Sequence, residues 1–128
     1  MMTDNVRDFL VKVVEQIGYV FNESDNKISI PFGNYKLEIV YSEDFIQILG
    51  FIENELSPDI RDNVISYILE KNLALKFIKW NIWNNKAVLF VDFLAKGIAE
   101  NEILVKGIIS LVAKEMGIFS LKFIENQT

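Results

Sequence analysis

The period of the apolar positions changes along the chain, and each change marks an element. Val6, Phe9, Leu10, Val13, Val14 and Ile17 recur at spacings of three and four, which gives a helix one apolar face. Thr3 or Asp4 is placed to cap that helix and Gly18 to end it, with Asp8, Lys12 and Glu15 lying off the apolar face. After Tyr19-Val20-Phe21 the polar run Asn22 to Asn26 reads as a turn. From Ile28 the period drops to two, and Gly33-Asn34 makes a tight turn into Tyr35, Leu37, Ile39 and Tyr41. With two-residue loops at Gly33-Asn34 and Glu43-Asp44, Ile28 faces Ile39, Ile30 faces Leu37, Ile39 faces Ile48 and Tyr41 faces Ile46. Two independent turns thus agree on one apolar face through three strands.

The second helix is announced by Ser57 as N-cap, Pro58 at the first helical position and Asp59 at the positive end of the dipole. Asn72 is placed to close it in a left-handed conformation. Ile60, Val64, Ile65, Ile68 and Leu69 make its predicted buried stripe, with Tyr67 at the margin. A hairpin follows, from about Leu75 to Leu94. Ala99-Glu100-Asn101 then opens a third helix expected to end near Gly117. Ile103, Leu104, Val105, Ile108, Ile109, Leu111, Val112 and Met116 span more than one apolar arc, so this helix expects cover on more than one side. The first helix or a second copy of the chain would supply it. Residues 119–124 suit a short strand or a helical turn. The expected class is α+β, an antiparallel sheet with helices mainly on one face, in the order α-β-β-β-(β)-α-β-β-α, as a single domain over residues 1–128.

The hairpin Lys79 to Phe93 holds both tryptophans and turns on Asn84-Asn85, residues that tolerate the positive φ of a type I′ turn. That turn sets Trp83 opposite Lys86, Ile82 opposite Ala87, Trp80 opposite Leu89 and Ile78 opposite Val91, so Trp80 falls on a continuous apolar face. The other face pairs Asn81 with Val88, Lys79 with Phe90 and Phe77 with Asp92. A sheet with helices on one side should be polar on the other. Phe77, Trp83, Val88 and Phe90 break that rule and form the candidate protein interface, for a second copy of the chain or for a client peptide.

Composition strengthens the expectation of a partner. The chain has 128 residues and 51% hydrophobic content with a mean hydropathy of +0.22, more apolar surface than a small sphere readily hides. A net charge of −5 and a pI near 4.7 argue against a nucleic-acid surface, which needs clustered Lys and Arg. The most apolar window, Ile103 to Phe119, is interrupted by Lys106, Lys114 and Glu115, so no membrane span is expected. The start MMTDNVRDFL is polar and mixed in charge, unlike a secretory signal. A cytoplasmic location is the expectation.

Cysteine and histidine are both absent. Disulfides, thiol nucleophiles and the commonest metal and acid–base residue go with them. The serines show no Ser-x-x-Lys spacing or Gly-x-Ser-x-Gly elbow, and the glycines are scattered singly rather than gathered in a phosphate loop. Carboxylates remain: Asp4 with Asp8, Glu43-Asp44, Glu53 with Glu55, and Asp92 within a strand. Each suits solvated surface or local hydrogen bonding, and no cofactor, metal or catalytic activity is expected. A carboxylate-using enzyme or small-molecule binder stays open as a further alternative.

The segment SPDIRDNVISYILEKNLALKFIKWNIWNNKAVLFVDFLA, residues 57–95, carries a resemblance. A capped helix leads through an Asn-Leu stretch into a hairpin whose second strand ends near an acid, Asp92. Together with the order of elements along nearly the whole chain, this resembles the type III secretion chaperone-like fold and, within it, the YbjN-like bacterial proteins. The resemblance implies a noncatalytic protein-binding or regulatory module acting as a homodimer. The alternative it implies is a chaperone that holds an extended apolar segment of a protein client.

Overall fold

The computed structural model describes residues 2–96 and 101–124, with side chains from Asn5 onward. Helix α1 (Met2–Ile17) is followed by strands β1 (Asn22–Ser24), β2 (Lys27–Pro31), β3 (Tyr35–Tyr41) and β4 (Phe45–Ile52). Helix α2 (Pro58–Ala74), strands β5 (Lys79–Trp83) and β6 (Lys86–Leu94), and helix α3 (Glu102–Phe123) complete the order. The six strands form one sheet in the order β1-β2-β3-β4-β6-β5, antiparallel at every pairing. The class is α+β, as expected. The hairpin β5–β6 docks with β6 against β4 and leaves β5 at the edge.

Register makes the core legible as rows crossing the sheet. Ile28, Ile39, Ile48 and Val91 align across four strands, and Tyr41, Ile46 and Phe93 across three. Ile30, Leu37, Gly50, Leu89 and Trp80 form the longest row. Gly50 leaves a gap in it that α3 fills: a Cβ there would sit 2.6 Å from both Cγ and Sδ of Met116. A larger side chain would push Met116, itself fully buried, out of its seat. The pairs predicted at both meander turns are those observed. Gly33 adopts the positive φ of +88° its turn requires, and the Phe32 amide donates to the Tyr35 carbonyl at 2.9 Å.

Helix α1 buries Val6, Leu10, Val13 and Val14 and ends at Gly18, whose amide reaches back to Val14 and Glu15. It begins at Met2, ahead of the predicted caps; the side chains of Thr3 and Asp4 lie outside the described residues. The polar run after Phe21 is not only a turn: Asn22–Ser24 pairs with β2, and the chain reverses at Asp25-Asn26, where Asn26 takes a φ of 55°. Three polar side chains suffice for a short strand at a sheet edge, because neither face of β1 is buried.

Helix α2 passes Asn72 and ends at Ala74, with Leu75 extended. Asn72 is taken up elsewhere: its side chain accepts from the Trp80 amide at 2.8 Å and donates to the Trp80 carbonyl at 2.9 Å. Lys79 instead closes the helix, its Nζ donating to the Asn72 and Leu75 carbonyls at 2.8 and 2.6 Å. Ser57 is the N-cap by position and bonds through its carbonyl, to the Ile60 and Arg61 amides, rather than its hydroxyl. Val64 and Ile68 are buried, but Leu69 faces solvent with Leu73. Helix α2 lies along β5, and an edge strand offers it less to pack against than the sheet centre would.

Helix α3 runs through Gly117 to Phe123. Gly117 is helical, and a Cβ there would lie 3.2 Å from the Tyr35 hydroxyl; it marks a close approach, not an end. Asn101 caps the start by accepting from the Leu104 amide at 3.1 Å, while Ala99 and Glu100 lie outside the described residues. The last turns are helical because Met116, Phe119 and Phe123 continue the buried stripe. Phe119 stacks on Trp80 with ring centroids 4.7 Å apart, and Tyr67 meets Phe119 and Phe123 edge-on. Ile103 and Leu104 are exposed, so the predicted second side of cover does not reach the start of this helix.

Candidate protein interface on the outer sheet face

The helices occupy one face of the sheet, and the other face is set by the same pairings. Three rows cross its centre: Val40, Gln47 and Asp92; Glu38, Leu49, Phe90 and Lys79; Lys36, Phe51, Val88 and Asn81. Trp83 and Lys86 face one another beyond the last row, and Phe45 faces Leu94 beyond the first. An apolar band therefore runs through Leu49, Phe51, Val88 and Phe90, with charges on both flanks.

The four residues singled out from the sequence are not equally open. Trp83 is 65% exposed and Phe77 58%. Phe90 is half-buried, and Val88, between Phe51 and Asn81, is only 7% exposed. Val88 forms the floor of the band and Trp83 its rim. The predicted pairs from Trp83–Lys86 to Lys79–Phe90 are all present; Ile78 and Phe77 precede the ladder, though Ile78 is buried as expected.

Trp83 is held in place by the turn that follows it. Asn84 and Asn85 both take positive φ, 51° and 58°, as the type I′ turn requires. Asn85 then ties the tip to the chain before α2: its side chain donates to the Leu56 carbonyl at 2.9 Å, and its carbonyl accepts from the Leu56 amide at 2.8 Å. The Arg61 guanidinium donates to the Asn85 Oδ1. A side chain shown to solvent from an anchored turn loses little freedom on binding.

Beside Trp83 the face dips into a depression of about 420 Å³, lined by Lys36, Glu38, Phe51, Glu53, Lys86 and Val88 among others. Lys36 bridges its two acids, 3.3 Å from Glu38 and 3.7 Å from Glu53. Lys86 and Asp92 have no ion-pair partner among the described residues.

The remaining carboxylates do not converge. Asp8 pairs with Arg7 at 2.7 Å, and Arg7 also grips Glu23. Asp44 lies in a turn whose amides donate to Ser42 Oγ. No group of three or more acids able to hold a metal occurs among the described residues. Glu115 is buried beside Lys71 at 3.8 Å. Burial raises the Tyr67 hydroxyl pKa, and the Glu115 charge raises it further. No helix among the described residues is long and apolar enough to cross a membrane.

Leu49, Phe51, Phe45 and Leu94 belong to this face but were not picked out from the sequence. The available signal was Phe45 to Ile52, whose residues are apolar on both alternations apart from Gln47 and Gly50, the mark of a strand covered on two sides. Its meaning depends on β6 lying next to β4, a crossover that no turn motif specifies.

No protein-family model matches the sequence, and no curated protein matches it. Solved structures do. The chain is similar to YbjN, a candidate transcription regulator from E. coli, at 15% identity and a TM-score of 0.58, over 89% of this chain and 93% of that one. It is similar to a chain of the HopA1–SchA chaperone–effector complex at 10% identity and a TM-score of 0.59, over 89% and 91% of the two chains. The fold is therefore the type III secretion chaperone-like fold that YbjN shares.

Proposed function

We propose that this chain is a noncatalytic protein-binding or regulatory module that works as a homodimer joined through the outer face of its sheet. The observation that carries the reading is the band of Leu49, Phe51, Val88 and Phe90, edged by the exposed Trp83, on the face opposite the helices, with Phe77 exposed just before β5. Covering what remains exposed of Leu49, Phe51 and Phe90, together with Trp83, would remove further apolar area from water at about 25 cal/mol per Å². The likeness to YbjN and to a chaperone–effector complex supports protein binding as the activity. Phe90→Glu is expected to stay folded by circular dichroism and to run at half the wild-type mass in light scattering. A folded variant that keeps the wild-type mass would remove the outer face from the contact.

The alternative, a chaperone for an extended apolar segment, is favoured by a separate observation. Leu69 and Leu73 of α2 and Ile118 and Leu121 of α3 are exposed on the helical side, which dimerisation through the sheet leaves free. On that reading the folded Phe90→Glu monomer still holds a client; on the first reading it does not.

A further inference from the structure

The outer face is complementary to itself, and we infer that two copies meet face to face about a two-fold axis crossing the strands at the level of Gly50. This rests on the homodimer proposed above and adds its register. The axis lies between the sheets, over the line of Leu37, Gly50, Leu89 and Trp80, positions that face the opposite, helical side. A two-fold axis makes residue i meet residue j while j meets i. The two rows nearest the line, Glu38-Leu49-Phe90 and Lys36-Phe51-Val88, are thereby laid on one another.

The pairings at the centre of this arrangement are complementary. Leu49 meets the partner's Phe51 and Phe90 meets the partner's Val88, apolar on apolar. Glu38 meets the partner's Lys36. One step further out, three residues from the line on β6, Asp92 meets the partner's Lys86, giving two unpaired charges of opposite sign their missing partners. On the β5 side, Trp83 lies three residues beyond Trp80 along the strand, so this exposed aromatic falls at the end of the contact. Shifting the axis by one row lays Asp92 on the partner's Val88 and Gln47 on the partner's Phe51, and the matching is lost.

Geometry tolerates the arrangement. Stacked sheets lie about 10 Å apart and cross at about 30° because each is twisted. Lys86 and Asp92 are each about 10 Å from the line, where such a crossing displaces partners by about 5 Å, within reach of a lysine side chain. Six strands at about 4.8 Å spacing and roughly 20 Å of strand give a modest contact, toward the small end of stable interfaces. The dimer is therefore expected to dissociate on dilution.

Charge reversal tests the register. Sedimentation equilibrium of the full chain across a concentration series, with circular dichroism to confirm folding, would compare wild type with Lys86→Glu, Asp92→Lys and the double variant. Each single change is expected to raise the dimer dissociation constant about tenfold, and the double to return it to within about threefold of wild type, as coupled charge pairs across interfaces do. Asp92→Lys is the sharper of the two, because it moves the net charge of −5 toward neutrality. Reduced overall repulsion alone would tighten the dimer, whereas a lost local pair loosens it. Tightening by Asp92→Lys, or a double variant no better than the singles, overturns this register while leaving the outer-face dimer standing. A wild type that is monomeric at every concentration, or a dimer insensitive to Phe90→Glu, overturns the dimer reading and the register with it.

Discussion

Strand β6 borders two different environments within nine residues. Ala87, Leu89 and Val91 point toward the helices and are buried among aliphatic neighbours, whereas Lys86, Val88, Phe90, Asp92 and Leu94 point away and mix charge with apolar bulk. The inner face is held by volume: its rows are mostly Ile, Leu and Val, with Tyr41, Phe93 and Trp80 toward their ends, and Gly50 gives the gap that Met116 enters. Exchange of one aliphatic residue for another there changes packing but not its logic. The outer face instead mixes charges with hydrophobes, an arrangement that the proposed face-to-face dimer would pair off. Core and interface are thus distinguished less by how apolar they are than by whether the chain itself supplies what they face.

The largest expected effect lies on the inner side. Phe119→Ala should lower unfolding free energy by about 3–5 kcal/mol in urea titration, because Phe119 is fully buried and joins Trp80, Tyr67 and Phe123 in one aromatic cluster. That is a large share of the roughly 5–15 kcal/mol typical of a domain. A loss under about 1 kcal/mol would mean that the last turns of α3 do not close the core, and the contrast between the faces would weaken from the inner side.

An intermediate effect is expected where the two faces meet, at the β5 edge. The outward amide of Trp80 is capped by Asn72, and that of Ile82 by the Asn81 side chain at 2.8 Å. Both outward donors of this edge are therefore occupied, and β5 offers another strand little to pair with. Asn72→Ala should cost about 1–3 kcal/mol for the orphaned Trp80 amide and carbonyl. It should also promote concentration-dependent aggregation, followed by thioflavin fluorescence. If the variant instead associates only to a dimer, the edge and not the face is where copies of this chain meet.

How much of this was legible in the sequence follows the range of the interactions. The strand registers at Gly33-Asn34, Glu43-Asp44 and Asn84-Asn85 were readable because two-residue turns fix pairing locally. The core role of Trp80 followed from that register. What failed to show was set by distant contacts. Asn72 has the composition of a helix end, yet Trp80 claims its side chain. Gly117 resembles a stop, yet Tyr35 explains it. Of the outer face, the half on β6 was readable through the hairpin; the half on β4, Leu49 and Phe51, required knowing that β6 docks there. Val88 lies on the outer face, as the hairpin register predicts, but forms the floor of the band, with Phe51 on one side and Asn81 on the other.

The smallest expected effect on folding is the most informative about the outer face. Trp83 is the largest side chain of the candidate interface and lies at the end of an anchored hairpin, mostly in solvent. In dilute protein, Trp83→Ala should shift unfolding by no more than about 0.5 kcal/mol, as surface changes usually do. At higher concentration the wild type should gain stability, because dimerisation draws the equilibrium toward the folded chain. The variant should lose part of that gain, because covering a large exposed aromatic removes apolar area from water even at the rim of a contact. The intrinsic emission adds a second reading: buried Trp80 should be unchanged by dilution, while Trp83 should shift to the red as it is uncovered. If Trp83→Ala instead destabilises the dilute protein by about 2 kcal/mol, as core truncations do, then Trp83 folds the chain rather than joining two of them. The two faces would then differ only in degree.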